Sequence, residues 1–281
     1  MHCLKTTEAA ALLDVAPSTL RAWERRFGFP MPQRSPGGHR AYAHAEVAAL
    51  RTALRDGVSV AAAVMRARAM VAADSDSLVR ALSAYDRERA DRAMETVVAL
   101  RSVERGVEEV LLPSLEMVVA RNGVESAGWA FSARWAADWL RRATRLTQPP
   151  ASRVAVMLGD ASRDELDLDA PYIRALEVFC MRAGIKVVRL SAWAVTGIGD
   201  VAAVHRPNLI VLAGGQVDDD IVACWAQLIA RSVGPLPLVL YRRAPTRLCS
   251  NALPPATSEA QQRLVELADA ATAAPVRQLA R

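Results

Sequence analysis

The segment PSTLRAWERRFGFPMPQRSPGGHRAY, residues 17–42, decides how the first part of this 281-residue chain folds. Its first half, Ser18 to Phe27, has helical spacing and stops at Gly28. Leu20, Trp23 and Phe27 recur at i, i+3 and i+7, which gathers them into one buried stripe. Ser18, Thr19, Arg21, Glu24 and Arg25 are left facing outward. Arg21, Arg25 and Arg26 have the i, i+4, i+5 spacing that groups charges along one side of a helix. The second half carries prolines, Arg34, the turn pair Gly37-Gly38, then His39, Arg40 and Tyr42. It is a basic hairpin directly after a basic helix. Upstream, TEAAALLDV predicts a helix capped by Thr6 or Thr7, with Ala9, Leu12 and Leu13 facing inward. The turn DVAPS comes next, and Pro17 suits the first position of the next helix, although Ala16 before it caps weakly. Two helices so spaced form a helix-turn-helix, in which the second helix enters the DNA major groove.

The charge distribution supports the same conclusion. Residues 1–72 hold ten Lys/Arg against five Asp/Glu, and subtracting these from totals of 35 and 30 leaves 25 of each elsewhere. The whole net charge of +5 thus belongs to the first quarter, as expected for one polyanion-binding module joined to a neutral body. Apolar residues make up 52%, enough for sizeable cores, yet no apolar run approaches the ~18 residues of a membrane span. The start, MHCLKTTEAA, lacks a signal-peptide core, so a cytoplasmic protein without a membrane partner is expected. Cys3, Cys180, Cys224 and Cys249 are scattered, as are the four histidines, so neither a disulfide framework nor a metal site is expected.

The first 70 residues or so resemble the MerR family of transcriptional regulators. The likeness is carried by Thr19 to Gly28, Arg34, Gly37-Gly38-His39-Arg40 and Tyr42, then a helix from Ala45 to Arg55 and a new helix start at Gly57-Val58-Ser59. The resemblance implies that Arg21 and Arg25 meet the major groove while Arg40 and Tyr42 of the wing hold the phosphate backbone. It also implies a homodimer or higher homo-oligomer on a near-palindromic double-stranded operator, with RNA polymerase as a further partner. The DNA-contacting set is therefore Ser18, Thr19, Arg21, Glu24, Arg25, Arg26, Arg34, His39, Arg40 and Tyr42.

A polar stretch, Ala72-Ala73-Asp74-Ser75-Asp76, predicts a break that closes a first domain of residues 1–73. Residues 76–148 then read as a four-helix bundle with helices Leu78–Tyr85, Arg87–Leu100, Val103–Arg121 and Ser126–Leu146. Ser102 and Ser126 are plausible caps, and Asn122-Gly123 is a stop signal. With only Ser59–Ala72 available as a helix after the wing, pairing of two copies falls to the bundle or to the domain beyond it. The last helix carries Phe131, Trp135 and Trp139 at i, i+4 and i+8, with Trp129 nearby. Such a stripe is bundle core or, alternatively, the wall of a pocket.

Pro149-Pro150 opens the third segment, residues 151–281. Apolar runs at 154–158, 186–190, 209–213 and 237–241 alternate with helical stretches, which predicts a doubly wound, flavodoxin-like parallel sheet covered on both faces. Ligands of such sheets bind outside the carboxyl ends of the strands. A candidate pocket therefore gathers Trp129, Trp135, Asp167, Asp169, Ser191, Gly214 and Tyr241. The acidic residues Asp160, Asp164, Glu165, Asp167 and Asp169 are expected to form a solvated loop before a helix.

Winged helix, helical bundle and α/β domain in this order resemble the cobalamin-sensing regulators of the CarH/LitR type and the MlrA-like activators. Phrases such as GIKVVRLSAW and RPNLIVLAGG add to the likeness. That resemblance implies a cobalt-ligating histidine after the first strand, yet residues 160–172 contain none and the slot falls on Asp167 or Asp169. A bundle motif of tryptophan followed ten residues later by Glu-His is Val119 and Trp129-Ala130 here. An expected serine is Ala213, and paired glycines after the fourth strand are Tyr241-Arg242. No cofactor is therefore expected, and the body should serve assembly, partner binding or another ligand. The alternative is a light-responsive cobalamin regulator that binds without the histidine. An enzyme is not expected, since no nucleophile elbow, phosphate loop or His–carboxylate pair is visible.

Overall fold

The computed structural model describes residues 3–34, 40–147, 154–215, 217–242 and 252–278. The chain forms two compact units, Met1–Val118 and Val119–Arg281.

The first unit begins with β1 (Cys3–Lys5), α1 (Thr6–Leu12), α2 (Pro17–Phe27), β2 (Pro32–Arg34), β3 (Arg40–Ala43) and α3 (His44–Arg55). α1 is not capped by a threonine: Lys5 is the cap residue, and the Glu8 carboxylate accepts its N–H at 2.8 Å. α2 starts behind Ala16 without a side-chain cap and ends on Gly28 in the left-handed region, at φ 60°. The three strands form an antiparallel sheet, β1-β3-β2, in which Tyr42 lies opposite both Leu4 and Pro32. Leu4, Leu13, Leu20, Phe29, Tyr42, Val47 and Leu50 make the core, with Trp23 and Phe27 packed at its margin. Leu12 is only half-buried, and Ala10 takes the inward place beside Ala9.

α4 (Val60–Ser83), capped by Ser59, runs unbroken for 24 residues through the polar stretch expected to interrupt it. Partners later in the chain explain this. The Asp74 carboxylate meets Arg101 at 2.5 Å, and the Ser75 carbonyl accepts the Ser114 hydroxyl at 3.4 Å. Side chains that favour turns in isolation are thus held in a helix by tertiary bonds. The premise that no long helix comes after the wing falls with the break. α5 (Arg87–Leu100) and α6 (Val103–Gly106) are next, capped by Asp86 and Ser102. A π-helical turn at Val107–Leu111, which periodicity does not reveal, leads into α7 (Leu112–Asn122).

In the second unit α8 (Ala127–Leu146) is capped by Ser126 and packs on α9 (Ala170–Arg182), the first helix of the α/β fold. The four expected bundle helices are therefore divided between the two units. β4 (Ala155–Asp160), β5 (Lys186–Ser191), β6 (Leu209–Ala213) and β7 (Leu238–Tyr241) form a parallel sheet in the order β5-β4-β6-β7. α10 (Ile198–His205), α11 (Asp219–Val233) and α12 (Thr257–Gln278) complete the set. One face of the sheet packs Val156, Leu158 and Val211 with Ile173, Leu176 and Leu264. The other packs Met157, Ile210 and Leu212 with Ile198, Trp225 and Ile229. Adjacent residues of β4 and β6 thus serve opposite cores, which is why both strands read as continuous apolar runs. The fold is mostly helical, with one parallel four-stranded sheet and a helix-turn-helix at the N-terminus.

Candidate nucleic-acid interface and sheet crevice

α2 divides its residues between core and solvent as its periodicity requires. Leu20 is fully buried, while Ser18, Arg21, Arg25 and Arg26 are exposed and Thr19 is half-buried. Arg21 curls back so that Nε donates to the Pro17 carbonyl at 3.2 Å, and Arg26 stacks 5.1 Å from the Phe27 ring centroid. Among the described residues, none of these three arginines is paired with a carboxylate. They form a cationic stripe available to phosphates and base edges.

Glu24 is turned differently. Its carboxylate accepts from Arg40 Nε at 3.0 Å and from the Tyr42 hydroxyl at 3.1 Å, binding α2 to the wing strand β3. Tyr42 is completely buried, and burial first, then the adjacent Glu24 charge, pushes its hydroxyl above the ordinary tyrosine range. It remains a donor at physiological pH. Two expectations change as a result. Tyr42 is not a surface residue facing phosphate, and Glu24 is not free to read bases; with Arg40 they fix the angle of the helix against the wing. The reason is register, since pairing of Tyr42 with Leu4 and Pro32 turns its side chain into the core. Arg34 belongs to β2 by backbone, and its side chain and His39 lie outside the described residues.

In the sheet the order reverses between β4 and β6, so the crevice expected to hold a ligand lies outside their carboxyl ends. Hydrogen bonds draw its two loops together. Ala161 N donates to Ala213 O at 2.9 Å, Gly214 N to Tyr241 O at 2.9 Å, and Gly215 N to the Asp169 carboxylate at 2.7 Å. A Cβ on Gly214, which has φ 122°, would stand 3.3 Å from the Ala161 methyl. Trp225 covers Gly159 from the other face, so a Cβ there would lie 2.4 Å from Leu212 and 2.9 Å from the indole.

The seven residues expected to share one pocket are spread over separate contacts. Asp169 and Gly214 meet across the crevice through that carboxylate and the neighbouring Gly215 amide. Asp167 accepts from Arg163 N at 3.0 Å and Asp169 N at 2.9 Å, closing its own loop. Trp129 is buried and its indole N–H donates to Leu166 O at 2.8 Å, while Trp135 is buried in the same helix. Tyr241 is a core residue whose hydroxyl meets Thr257 at 2.9 Å. Ser191 ends β5, separated from β6 by β4, and accepts from Trp193 N at 3.3 Å. The acidic loop is also less solvated than expected, because Asp160 pairs with Arg189 and Glu165 with Arg141, each at 2.9 Å.

Residues 5–42 match the family described as MerR family regulatory protein. The N-terminal unit carries a MerR-family domain. Two curated relatives from Myxococcus xanthus, the HTH-type transcriptional repressors CarH and CarA, are 31% identical over 130 residues and 30% identical over 141. Those matches cover 38% and 44% of this chain and 44% and 49% of the relatives, so the chain spans under half the length of either. The HTH-type transcriptional regulator MlrA of Escherichia coli is 50% identical over 44 residues, 16% of this chain and 18% of its own. Among solved structures, the methanol:cobalamin methyltransferase complex MtaBC from Methanosarcina barkeri aligns with 69% of this chain and 78% of its own. The identity there is 9% and the TM-score 0.35, a slight likeness.

Two further residues position α2 of the MerR-family domain, and neither is visible in its motif. Arg68 of α4 donates to the Phe27 and Gly28 carbonyls at 2.6 and 3.1 Å and lies 5.6 Å from the Phe29 ring, closing the C-terminal end of α2. Glu46 of α3 accepts the Met31 N–H at 2.7 Å and so anchors the start of the wing. Arg68 acts across 41 residues of sequence, a distance over which no local pattern carries information.

Proposed function

We propose that the chain is a DNA-binding transcriptional regulator of MerR type that reads a near-palindromic operator as a homodimer or larger homo-oligomer in the cytoplasm. The observation that carries this reading is α2, whose arginine stripe is exposed while Glu24 locks the helix to the wing. Residues 1–73 form the reader; the helical segment 76–148 and the α/β segment 151–281 pair two readers, bind a partner such as RNA polymerase, or take a ligand. No catalysis is assigned to any of them.

The α/β segment, in this reading, has kept the cobalamin-binding type of fold and lost the cofactor. Two features support the loss. The position of the cobalt-ligating histidine is taken by Asp167 or Asp169, whose carboxylates are already engaged by backbone amides. The two crevice loops are joined by hydrogen bonds, and a bulky side chain, Tyr241, fills the core where paired glycines would leave room. These residues do not fit cobalamin.

The test is to incubate the full chain with hydroxo-, methyl- and adenosylcobalamin in the dark and pass each mixture through a sizing column. The protein is expected to elute without a visible absorbance band. A coeluting band would replace this reading with a cobalamin-dependent regulator that binds without histidine.

A further inference from the structure

The loop between β4 and α9 has a second side, toward β5 and away from the switch point. A cavity of about 380 Å³ opens there, outside the carboxyl ends of β4 and β5. Three arginines line it: Arg163 is exposed on the loop, while Arg174 of α9 and Arg189 of β5 are more buried and are neutralised unequally. Arg189 is fully matched, with Asp160 at 2.9 Å and Glu177 at 2.8 Å, both carboxylates less than a fifth exposed. Among the described residues Arg174 has one carboxylate within 4 Å, Glu165 at 3.6 Å, with Asp160 acting on it from further off, and Arg141 holds Glu165 more closely, at 2.9 Å. Arg174 Nε is buried and has no hydrogen-bond acceptor. Burial, then the charges of Arg189 and Arg141, disfavour its cationic form. A buried guanidinium short of acceptors is an arrangement that an incoming anion relieves.

The remaining polar groups sort themselves around that under-compensated cation. Asp160 is balanced by Arg189 and also accepts the Ser162 hydroxyl at 2.6 Å, so it is not an open negative charge. Asp164 accepts from Leu166 N at 2.7 Å in a local turn. Ser191 accepts from Trp193 N and keeps its own hydroxyl proton to donate.

We propose that this cavity binds a small anion, a carboxylate or phosphate group of a metabolite, seated on Arg174 with Ser191 as a second donor and Glu165 as the group it displaces. Arg141 retains Glu165 when the ion enters, so the displacement exposes no unpaired carboxylate. The site lies on the far side of β4 from the switch point and stands whether or not cobalamin binds there. It also does not depend on the DNA-binding reading; it gives a chemical class to the ligand role proposed for the α/β segment.

The test is calorimetric titration of the full chain with inorganic phosphate and, separately, with succinate, at ionic strength held constant by sodium chloride. Saturable binding of at least one ion is expected, and comparison of the two identifies the group preferred. Arg174→Gln should weaken it roughly tenfold, the loss expected for one charge-assisted contact. Glu165→Gln, a change at a half-exposed position that spares the fold, should tighten it roughly threefold by removing the competing carboxylate. Absence of saturable binding by both ions overturns the proposal. So does undiminished binding in Arg174→Gln, or binding in Glu165→Gln that is unchanged or weaker. Phosphate held by the winged helix alone would give that result, since neither substitution touches it.

Discussion

Glu24 shows how far the role of one residue depends on what it meets. On a helical wheel it stands with the outward arginines, yet in the fold its carboxylate bonds Arg40 and Tyr42 and joins α2 to β3. Tyr42→Phe should therefore lower stability by about 1.5–3 kcal/mol, the net worth of a hydrogen bond to a charged group, in urea denaturation. An unchanged midpoint would mean that the clamp is not formed. Glu46 gives a prediction with a pH signature. Burial raises its carboxyl above the ordinary glutamate range, with Glu109 adding to the effect and the Met31 amide and Arg68 opposing it. A raised folded-state value means that the group favours folding most below its unfolded pKa. The contribution is lost as pH rises through the folded value. Glu46→Gln, which keeps an acceptor for Met31, should flatten this part of the pH dependence, gaining relative to wild type from mildly acidic to neutral pH in parallel denaturation series. An identical difference at both ends of that range would contradict it. Motif and spacing made Arg21 and Arg25 legible as exposed cations. They could not show that Tyr42 is buried, because strand register decides that and the partner strand is 38 residues away.

At the scale of elements, legibility tracked how strongly each segment depends on its neighbours. β4, β5, β6 and β7 lie within a residue or two of their expected runs; the central β4 and β6, covered on both faces, must be apolar throughout, whereas the edge strand β5 is only partly buried. Ser59, Ser102, Ser126 and Asp218 cap helices through their own side chains, a local interaction that sequence displays directly. α4 was not legible in the same way. Ala72 to Asp76 has the composition of a break, and the chain stays helical there through Arg101, in the link after α5, and Ser114 of α7. Backbone amides 74–78 should accordingly exchange with deuterium as slowly as those flanking them in α4. Arg101→Ala should speed their exchange by about 1.5–3 kcal/mol of local opening energy. Fast exchange across that stretch in the wild type would restore the break.

Across the whole molecule charge is segregated: the net +5 belongs to residues 1–72, and the rest is balanced. Of the candidate site, the MerR-family motif was specific because residue type, order and spacing all agree within 26 residues, 17–42. The α/β segment was legible as a fold and not as a pocket. Absent motif residues revealed that the usual ligand set is missing. Only the three-dimensional contacts revealed that Asp169 closes the crevice on Gly215, and that Arg174 Nε lacks an acceptor on the other side of β4. Among the described residues no helix is long and apolar enough to cross a membrane.

The central claim, sequence-specific DNA reading by the arginine stripe of α2, is tested most directly by selecting bound DNA from a random pool with the full chain. The same selection is then made with Arg21→Ala and with Arg25→Ala. The account predicts one near-palindromic motif for the wild type, with affinity for it reduced by about 1–3 kcal/mol in each variant at matched salt. Recovery of no motif, or full affinity retained by both variants, would contradict it.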